Sequence, residues 1–396
     1  MRCQGMQARR GAWAPALRRP ALVRSAAAPV ATSAAPASTA SSAAPSRPAL
    51  RLRFGTKNIP HPKKAHYGGE DAYFVSEAGA GVAGIADGVG GWQEAGINPA
   101  DYSRSLMKVA RQYLEECSTV AGGTLSSGEW LAGQRAGGQP GGDALAAELA
   151  QRAAAQAGSS GSGGASSSSS SVSSGDAFVA AASAARIDIP PPLTSGDADG
   201  PRTAQEALDV AHRATQFPGS STACVLRLDA ARGTLDAANL GDSGFLIVRN
   251  GQLHFQSPAM QHFFDCPLQF GMPPDTDWAQ DAAVFCLEVQ PGDAIVMATD
   301  GLLDNLPAED IVRLAPPSAA EVEQAAAAMA ELASQNAADP DFESPYSREA
   351  LEEGYDLPWW EKLTTSKFKD GKFELGKLRG GKMDDITVVC AYVVQQ

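Results

Sequence analysis

Short apolar runs that end in an aspartate and a glycine recur along this chain and restrict what it can fold into. The clearest are Val82–Ala86, followed by Asp87-Gly88, and Ala294–Ala298, followed by Thr299-Asp300-Gly301. An apolar run bounded by turn residues predicts a buried strand, and glycine lets a ligand approach the backbone closely. Further acids flank other predicted strands, at Glu70-Asp71, Asp242 and Asp384-Asp385. Acids at five strand ends predict a shared metal site.

These acids come without clustered histidines or thiolates, which favours the hard cations Mg²⁺ and Mn²⁺. Two such ions can clamp a phosphate for in-line attack, so the pattern predicts phosphoester hydrolysis without a covalent intermediate. A cysteine phosphatase needs an arginine six residues after its thiolate. Only Cys3 has one, Arg9, in a segment without a strand or glycine-rich loop. The absence of a G-x-x-x-x-G-K-[ST] motif excludes nucleotide hydrolysis of that type.

Composition sets broad limits on the fold and the partners. Of the 396 residues, 44% are hydrophobic, which is enough for the core of one large domain. The net charge is −13. Phosphate backbones require basic patches, so the acidity argues against a nucleic-acid partner. There is no apolar run of about 18 residues, so we expect no transmembrane segment, and we expect a monomer. The cysteines lack a C-x-x-C pair, which predicts thiols rather than a zinc or disulfide framework.

Two segments of biased composition precede and interrupt this domain. Residues 1–50 are rich in arginine, alanine and serine, and the first acid of the chain is Glu70. This composition is typical of an organellar transit peptide, with a disordered basic tail as the alternative. Residues 158–174 are almost pure glycine and serine and cannot bury a core. We therefore expect a transit peptide over 1–50 and one domain over 51–396, with a disordered insertion at about 119–201.

The predicted strands come in runs rather than alternating singly with helices, which favours an α+β fold over a doubly wound sheet. The strongest short-range hairpin signal is Asn250-Gly251, between two predicted strands. Helical spacing of apolar residues predicts helices near residues 99–117 and 203–216.

Six short motifs follow one another along the domain. In chain order they are Gly69-Glu70-Asp71-Ala72, Ala86-Asp87-Gly88-Val89-Gly90-Gly91-Trp92, Gly219-Ser220-Ser221-Thr222-Ala223, Gly241-Asp242-Ser243-Gly244, Ala298-Thr299-Asp300-Gly301 and Met383-Asp384-Asp385-Ile386-Thr387-Val388. In order and spacing, across residues 54–396 apart from the insertion, they resemble the type-2C metal-dependent protein phosphatases. The resemblance implies an αββα sandwich of two antiparallel sheets flanked by helices, with the metals at one end between the sheets.

The resemblance also implies a role for each matching residue. Six positions would bind metal: Asp71, Asp87, Gly88 through its carbonyl, Asp242, Asp300 and Asp384. Asp71, Asp87, Asp300 and Asp384 would serve two central Mg²⁺ or Mn²⁺ ions, and Asp242, with Asp300, would hold a weaker third ion. Glu70 would orient a metal-bound water. Water activated by the metals would attack the phosphorus of phosphoserine or phosphothreonine.

Two positions depart from the family pattern. Many relatives have a histidine, a proposed general acid, where this chain has Val89, and a phosphate-binding arginine where it has His66. Protonation of the leaving group would then fall to metal-bound water, and phosphate contact to Lys63, Lys64 or His66. His262 could reach the site from a loop, although a structural histidine is the commoner case.

Further motifs narrow the resemblance within the family. Asn58-Ile59-Pro60-His61-Pro62-Lys63-Lys64, Phe264-Asp265-Cys266-Pro267 and the stretch from Phe342 to Trp360 resemble the plant chloroplast phosphatases of photosystem II core proteins. This resemblance implies a chloroplast enzyme that acts on photosystem II core subunits at the stromal face of the thylakoid membrane. The alternatives are a mitochondrial phosphatase of the same fold and a phosphatase-like binding protein without catalysis.

Overall fold

The structure is a computed structural model that describes residues 49–118, 202–358, 362, 367–369, 372–374 and 377–396. The predicted transit peptide and the predicted insertion lie almost wholly outside these residues. No helix in the described ranges is long and apolar enough to cross a membrane.

Short strands make up most of the regular structure in these ranges. Strands β1 to β16 are Leu50–Ile59, Ala72–Ser76, Val82–Ala86, Ser220–Ser221, Ala223–Asp229, Thr234–Leu240, Gly244–Arg249, Gln252–Gln256, Gln261–Phe263, Cys266–Pro267, Phe270–Gly271, Ala283–Glu288, Ala294–Ala298, Lys367–Lys369, Lys372–Glu374 and Ile386–Gln395. Helices α1 to α6 are Pro99–Ser118, Ala204–Ala214, Asp300–Leu303, Ala308–Leu314, Val322–Ala338 and Pro345–Glu352.

Ten strands form two five-stranded sheets. Sheet I has the order β1-β16-β13-β7-β8 and sheet II the order β12-β6-β5-β3-β2. Every neighbouring pair in both sheets is antiparallel. The α+β prediction is therefore confirmed.

The two sheets pack face to face, with helices on both outer faces. Ile85 and Leu226 of sheet II share one core with Phe245, Ile295 and Val389 of sheet I. Helices α1 and α2 cover the outer face of sheet II, and α3 to α5 cover that of sheet I. This is the αββα sandwich that the family resemblance implied.

Burial on both faces explains why the central strands are continuously apolar. In β13, Ile295 and Met297 point into the core between the sheets, whereas Val296 and Ala298 point toward the helices on the outer face. Successive side chains of a strand alternate between faces, so a strand covered on both sides needs apolar residues at every position.

Local signals fix several connections. Asn250 and Gly251 both have positive φ, 52° and 70°, which is the two-residue turn expected between β7 and β8. Helix α2 begins with a capping box in which Thr203 and Glu206 bond each other's backbone N–H.

The cysteine prediction is partly wrong, because Cys266 is disulfide-bonded, while Cys224, Cys286 and Cys390 are free thiols.

The pairing register collects the acidic strand ends at one end of the sandwich. In sheet II the start of β2 lies opposite the end of β3, with Ala72 paired to Ala86. In sheet I the end of β13 lies opposite the start of β16, with Ala298 paired to Val388. The acidic residues immediately before or after these strands therefore emerge side by side.

Candidate metal centre

Five aspartates, four from these strand ends and Asp242 from the turn between β6 and β7, are close enough to perturb one another. The pKa of Asp87 is raised well above its usual value, first by burial and then by the negative charges of Asp300, Asp71, Asp384 and Asp242. Asp87 in turn contributes to the perturbed pKa of Asp300. The structure thus brings together the five predicted metal aspartates, which the sequence separates by more than 300 residues.

Three of these carboxylates each bury an oxygen that has no hydrogen-bond partner: Asp71 Oδ1, Asp242 Oδ1 and Asp300 Oδ1. A buried carboxylate oxygen without a partner is costly, and a cation between the groups would remove that cost. All the donors are oxygens, which is the ligand chemistry of Mg²⁺ and Mn²⁺. The residues present therefore fit a centre for hard divalent cations.

The carboxylates are not already arranged as ligands. No group of three or more His, Cys, Asp or Glu side chains in the described ranges stands as a ready-made metal site. The acids are instead paired with two ammonium groups, those of Lys64 and Lys382. Ligand arrangement at this end of the sandwich is therefore coupled to the positions of these two lysines.

Lys64 bridges the acids before β2 and those before β16. Its Nζ lies 2.6 Å from Glu70 Oε2, 3.2 Å from Asp384 Oδ1 and 3.1 Å from Asp385 Oδ2. Burial lowers the pKa of Lys64, but the surrounding carboxylates outweigh it and the net shift is upward. Lys64 therefore remains a cation beside Asp384.

Lys382 pairs with a second set of acids. Its Nζ lies 2.7 Å from Asp300 Oδ2, 2.9 Å from Asp304 Oδ2 and 3.2 Å from Asp265 Oδ1. Burial would raise the pKa of Asp300, but the charge of Lys382 outweighs it and the pKa is lowered. Burial prevails at Asp304, whose pKa is raised to about 7.

Asp71 is held by one hydroxyl group from the end of β13. Thr299 Oγ1 donates to Asp71 Oδ2 at 2.8 Å and accepts from the Thr387 N–H at 3.0 Å. Both Thr299 and Thr387 are fully buried. The pKa of Asp71 is nonetheless raised by burial and by the charge of Asp385. The Thr299 bond fixes one oxygen of Asp71 and leaves the other, Oδ1, buried without a partner.

The Asp87-Gly88 turn lies against backbone on two sides. The Asp87 N–H donates to Thr222 Oγ1 at 3.2 Å, and the Gly88 N–H donates to the Glu70 carbonyl at 3.2 Å. A Cβ at Gly88 would stand 2.8 Å from that carbonyl oxygen and 3.0 Å from that of Pro99. Only glycine fits this close approach.

Asp385 organises the segment before β2. Its side chain is 1% exposed and accepts from the His61 N–H at 2.6 Å and the Glu70 N–H at 2.9 Å. Glu70 is fully buried and also accepts from the Tyr67 hydroxyl at 3.1 Å. Asp385 therefore positions Glu70 relative to Asp384.

The three residues predicted to contact phosphate differ in their surroundings. The side chains of Lys63 and His66 are exposed, and of the three predicted contacts Lys64 is the one paired with site acids. Val89 is half-buried, and its N–H donates to the Ser220 carbonyl at 2.9 Å. His262 pairs with Asp277 at 2.9 Å, as a structural histidine would.

Sequence reasoning missed Asp304, Asp265 and Lys382 as members of this cluster. The spacing of Asp304 could have revealed it, because four residues after Asp300 on a helix is one turn further along the same face. Asp265 and Lys382 gave no such signal, because tertiary folding alone brings them to Asp300.

Comparison with known proteins gives consistent similarities. A family model described as Stage II sporulation protein E (SpoIIE) matches residues 167–340. Probable protein phosphatase 2C 26 of Arabidopsis thaliana is 32% identical over 348 residues, which are 88% of this chain and 86% of that protein. The Protein phosphatase PTC7 homolog of Homo sapiens is 28% identical over 347 residues, 84% of this chain and 82% of that protein.

Among solved structures, the X-ray structure of the photosystem II phosphatase PBCP superposes with a TM-score of 0.59 at 31% identity. The match covers 86% of this chain and 98% of that one. Both the sequence and the sandwich architecture are therefore shared over most of the two chains.

Proposed function

The chain belongs to the protein phosphatase 2C family of protein-serine/threonine phosphatases, and we propose that its strand-end carboxylates hold Mg²⁺ or Mn²⁺ for hydrolysis of phosphoserine and phosphothreonine. The observation that carries the metal assignment is the set of three buried carboxylate oxygens without partners, from Asp71, Asp242 and Asp300. Carboxylates buried in this way need a cation, and a phosphate dianion needs the same positive charge.

The residues that would hold the ions are Asp71, Asp87, the Gly88 carbonyl, Asp300 and Asp384, together with Asp242, whose buried Oδ1 also lacks a partner. When bound, such ions neutralise the charge of the phosphate and lower the pKa of a water so that it can attack phosphorus.

The chain's own residues orient the reacting groups. Thr299 holds Asp71 in one orientation, and Asp385 holds the backbone of Glu70. Glu70, with its carboxylate at 2.6 Å from the Lys64 ammonium, would accept a hydrogen bond from the attacking water and orient it. Its burial excludes bulk water from that bond.

Lys64 is the residue that would contact the phosphate of the substrate. Its side chain is 18% exposed, so the ammonium lies at the boundary between the buried acids and solvent. A phosphate oxygen arriving there would gain a charge-assisted hydrogen bond. Val89 has no titratable group, so the leaving serine or threonine oxygen would take its proton from water.

For substrate and compartment, we propose photosystem II core phosphoproteins at the thylakoid surface of a chloroplast. The support is the 31% identity to photosystem II phosphatase PBCP over 86% of the chain, together with the arginine-rich, acid-poor composition of residues 1–50. A mitochondrial location is the alternative, since that composition suits either organelle. Localisation of the full chain as a C-terminal fluorescent fusion distinguishes the two.

The proposed reaction is tested with a phosphothreonine peptide, Mn²⁺ and an Asp87→Asn variant. We expect the variant to lose more than about 100-fold in turnover, because even residues that only support metal ligands contribute 10–100-fold. Asp310→Asn, which removes an acid of the α4 surface paired with Arg313, is the matched control and should retain full activity. Unchanged turnover in Asp87→Asn would contradict the proposed centre.

A further inference from the structure

We propose that the ammonium group of Lys382 is a built-in cation of the acidic pocket formed by Asp265, Asp300 and Asp304, and takes the place of a third metal ion there. This inference rests on the proposed two-ion centre and specifies its stoichiometry. Of the pair Asp242 and Asp300, to which the family resemblance assigned a third ion, Asp300 is thereby already paired with an ammonium group.

The contacts of Lys382 are those expected of a resident cation. Its Nζ lies between 2.7 and 3.2 Å from one oxygen of each of the three aspartates. The ring centroid of Tyr346 lies 5.2 Å from the same nitrogen, close enough for a cation–π interaction. Three carboxylates and one ring face therefore surround a single ammonium group.

The backbone of Lys382 is held in place independently of these charges. The Lys382 N–H donates to Asn305 Oδ1 at 2.8 Å, and its carbonyl accepts from Asn305 Nδ2 at 2.7 Å. Asn305 is fully buried and also donates to the Gly301 carbonyl at 2.9 Å. The side-chain amide of Asn305 thus fixes the lysine to helix α3, which begins at Asp300 and is followed directly by Asp304.

The residue before the lysine adds a second restraint. A Cβ at Gly381 would overlap the backbone of Asn336 and Ala337 in α5, so the chain lies directly against that helix. The side chain of Lys382 is 21% exposed. Its stem can lie along the protein while its charged end reaches the acids.

A third divalent ion at this position would meet an unfavourable environment. It would have to share Asp300 and Asp304 with an ammonium group that already contacts both, or displace it into solvent. Like charges at such short range repel strongly in a partly buried site. The orphaned Oδ1 of Asp300 belongs to the side of that carboxylate that is free of Lys382 and serves the central ions.

The experiment counts Mn²⁺ on the full chain by equilibrium dialysis with elemental analysis, at saturating metal. We expect about two ions per wild-type chain and about three in Lys382→Met, because removal of the ammonium leaves the carboxylates to a hydrated cation. Lys382→Met/Asp304→Asn should return to about two. Lys377→Met, which removes an exposed lysine of the same segment, should match the wild type.

The outcomes separate this inference from the proposed function. Three ions on the wild type, or an unchanged count in a folded Lys382→Met variant, would overturn the role of Lys382 and leave the central ions in place. No bound Mn²⁺ on the wild type would overturn the proposed centre itself. If Lys382→Met does not fold, as judged by circular dichroism, Lys382→Gln provides the same count with a polar side chain of similar length.

Discussion

Replacing Thr299 by valine removes one hydroxyl and changes the shape of the side chain very little. That hydroxyl donates to Asp71 Oδ2 at 2.8 Å and accepts from the Thr387 N–H at 3.0 Å. A hydrogen bond to a charged group contributes about 1.5–3 kcal/mol, and a buried N–H left without an acceptor costs about 1–3 kcal/mol. Because the two effects overlap at one atom, we expect Thr299→Val to lose about 2–4 kcal/mol of unfolding free energy.

The assay is denaturant unfolding of the full chain in chelator, with Thr299→Ser as the matched control. Serine keeps the hydroxyl and loses one methyl group, which costs about 1 kcal/mol. The same variants should separate in metal affinity: Thr299→Val should bind Mn²⁺ about 10–100-fold more weakly, as other ligand-orienting groups do when removed. Equal stability and equal affinity for Thr299→Val and Thr299→Ser would refute the positioning role of the hydroxyl.

Three further predictions follow from individual contacts. Asp385→Asn should lower the unfolding free energy by about 1–3 kcal/mol, because its two carboxylate oxygens accept from the His61 and Glu70 N–H groups and an amide keeps only one acceptor oxygen; urea unfolding that matches the wild type would contradict this. Gly301→Ala should lower the unfolding free energy by about 1–3 kcal/mol or more, because the added Cβ would overlap the Asp385 carbonyl. The control is Gly96→Ala, whose added Cβ has nothing within 4 Å. It should lower the unfolding free energy by about 1 kcal/mol, because Gly96 has a positive φ. The hydrogen bond to Asp277 raises the pKa of His262 in the folded protein. The ion pair therefore stabilises the fold fully at pH values below the pKa of this histidine in the unfolded chain. The stabilisation is lost as the pH rises through its pKa in the folded protein. His262→Gln should therefore reduce the melting temperature at pH about 5.5 but not at pH about 8.5. The corresponding loss of unfolding free energy is less than about 1 kcal/mol, because the imidazole is partly exposed. A difference in melting temperature that does not depend on pH would exclude the ion pair.

Local patterns predicted the fold well where one signal sufficed. The apolar runs before Asp87 and Asp300 became β3 and β13, because strands buried on both faces must be continuously apolar. The Asn250-Gly251 turn formed as expected, because both residues tolerate positive φ. Helix α6 was not predicted, although Ser344 followed by Pro345 is a helix-start signal, and Ser344 does cap the helix.

The candidate site was only partly readable in the sequence. Aspartates at strand ends could be placed together because antiparallel pairing brings the ends of neighbouring strands side by side. Lys382 could not, because it reaches Asp300 from 82 residues further along the chain, and no periodicity encodes such a contact. The metal roles of Asp71, Asp87, Gly88, Asp242, Asp300 and Asp384 stay predictions, as does the domain boundary at residue 51.

The most direct test of the central claim is the metal dependence of phosphothreonine-peptide hydrolysis by the full chain. The protein is stripped with chelator, dialysed and titrated with Mn²⁺ while phosphate release is recorded. We predict no turnover in the stripped protein and recovery that saturates with added Mn²⁺, since the buried carboxylates need a divalent cation before a phosphate can approach them. Turnover that persists after stripping, or none at any Mn²⁺ concentration, would contradict the account.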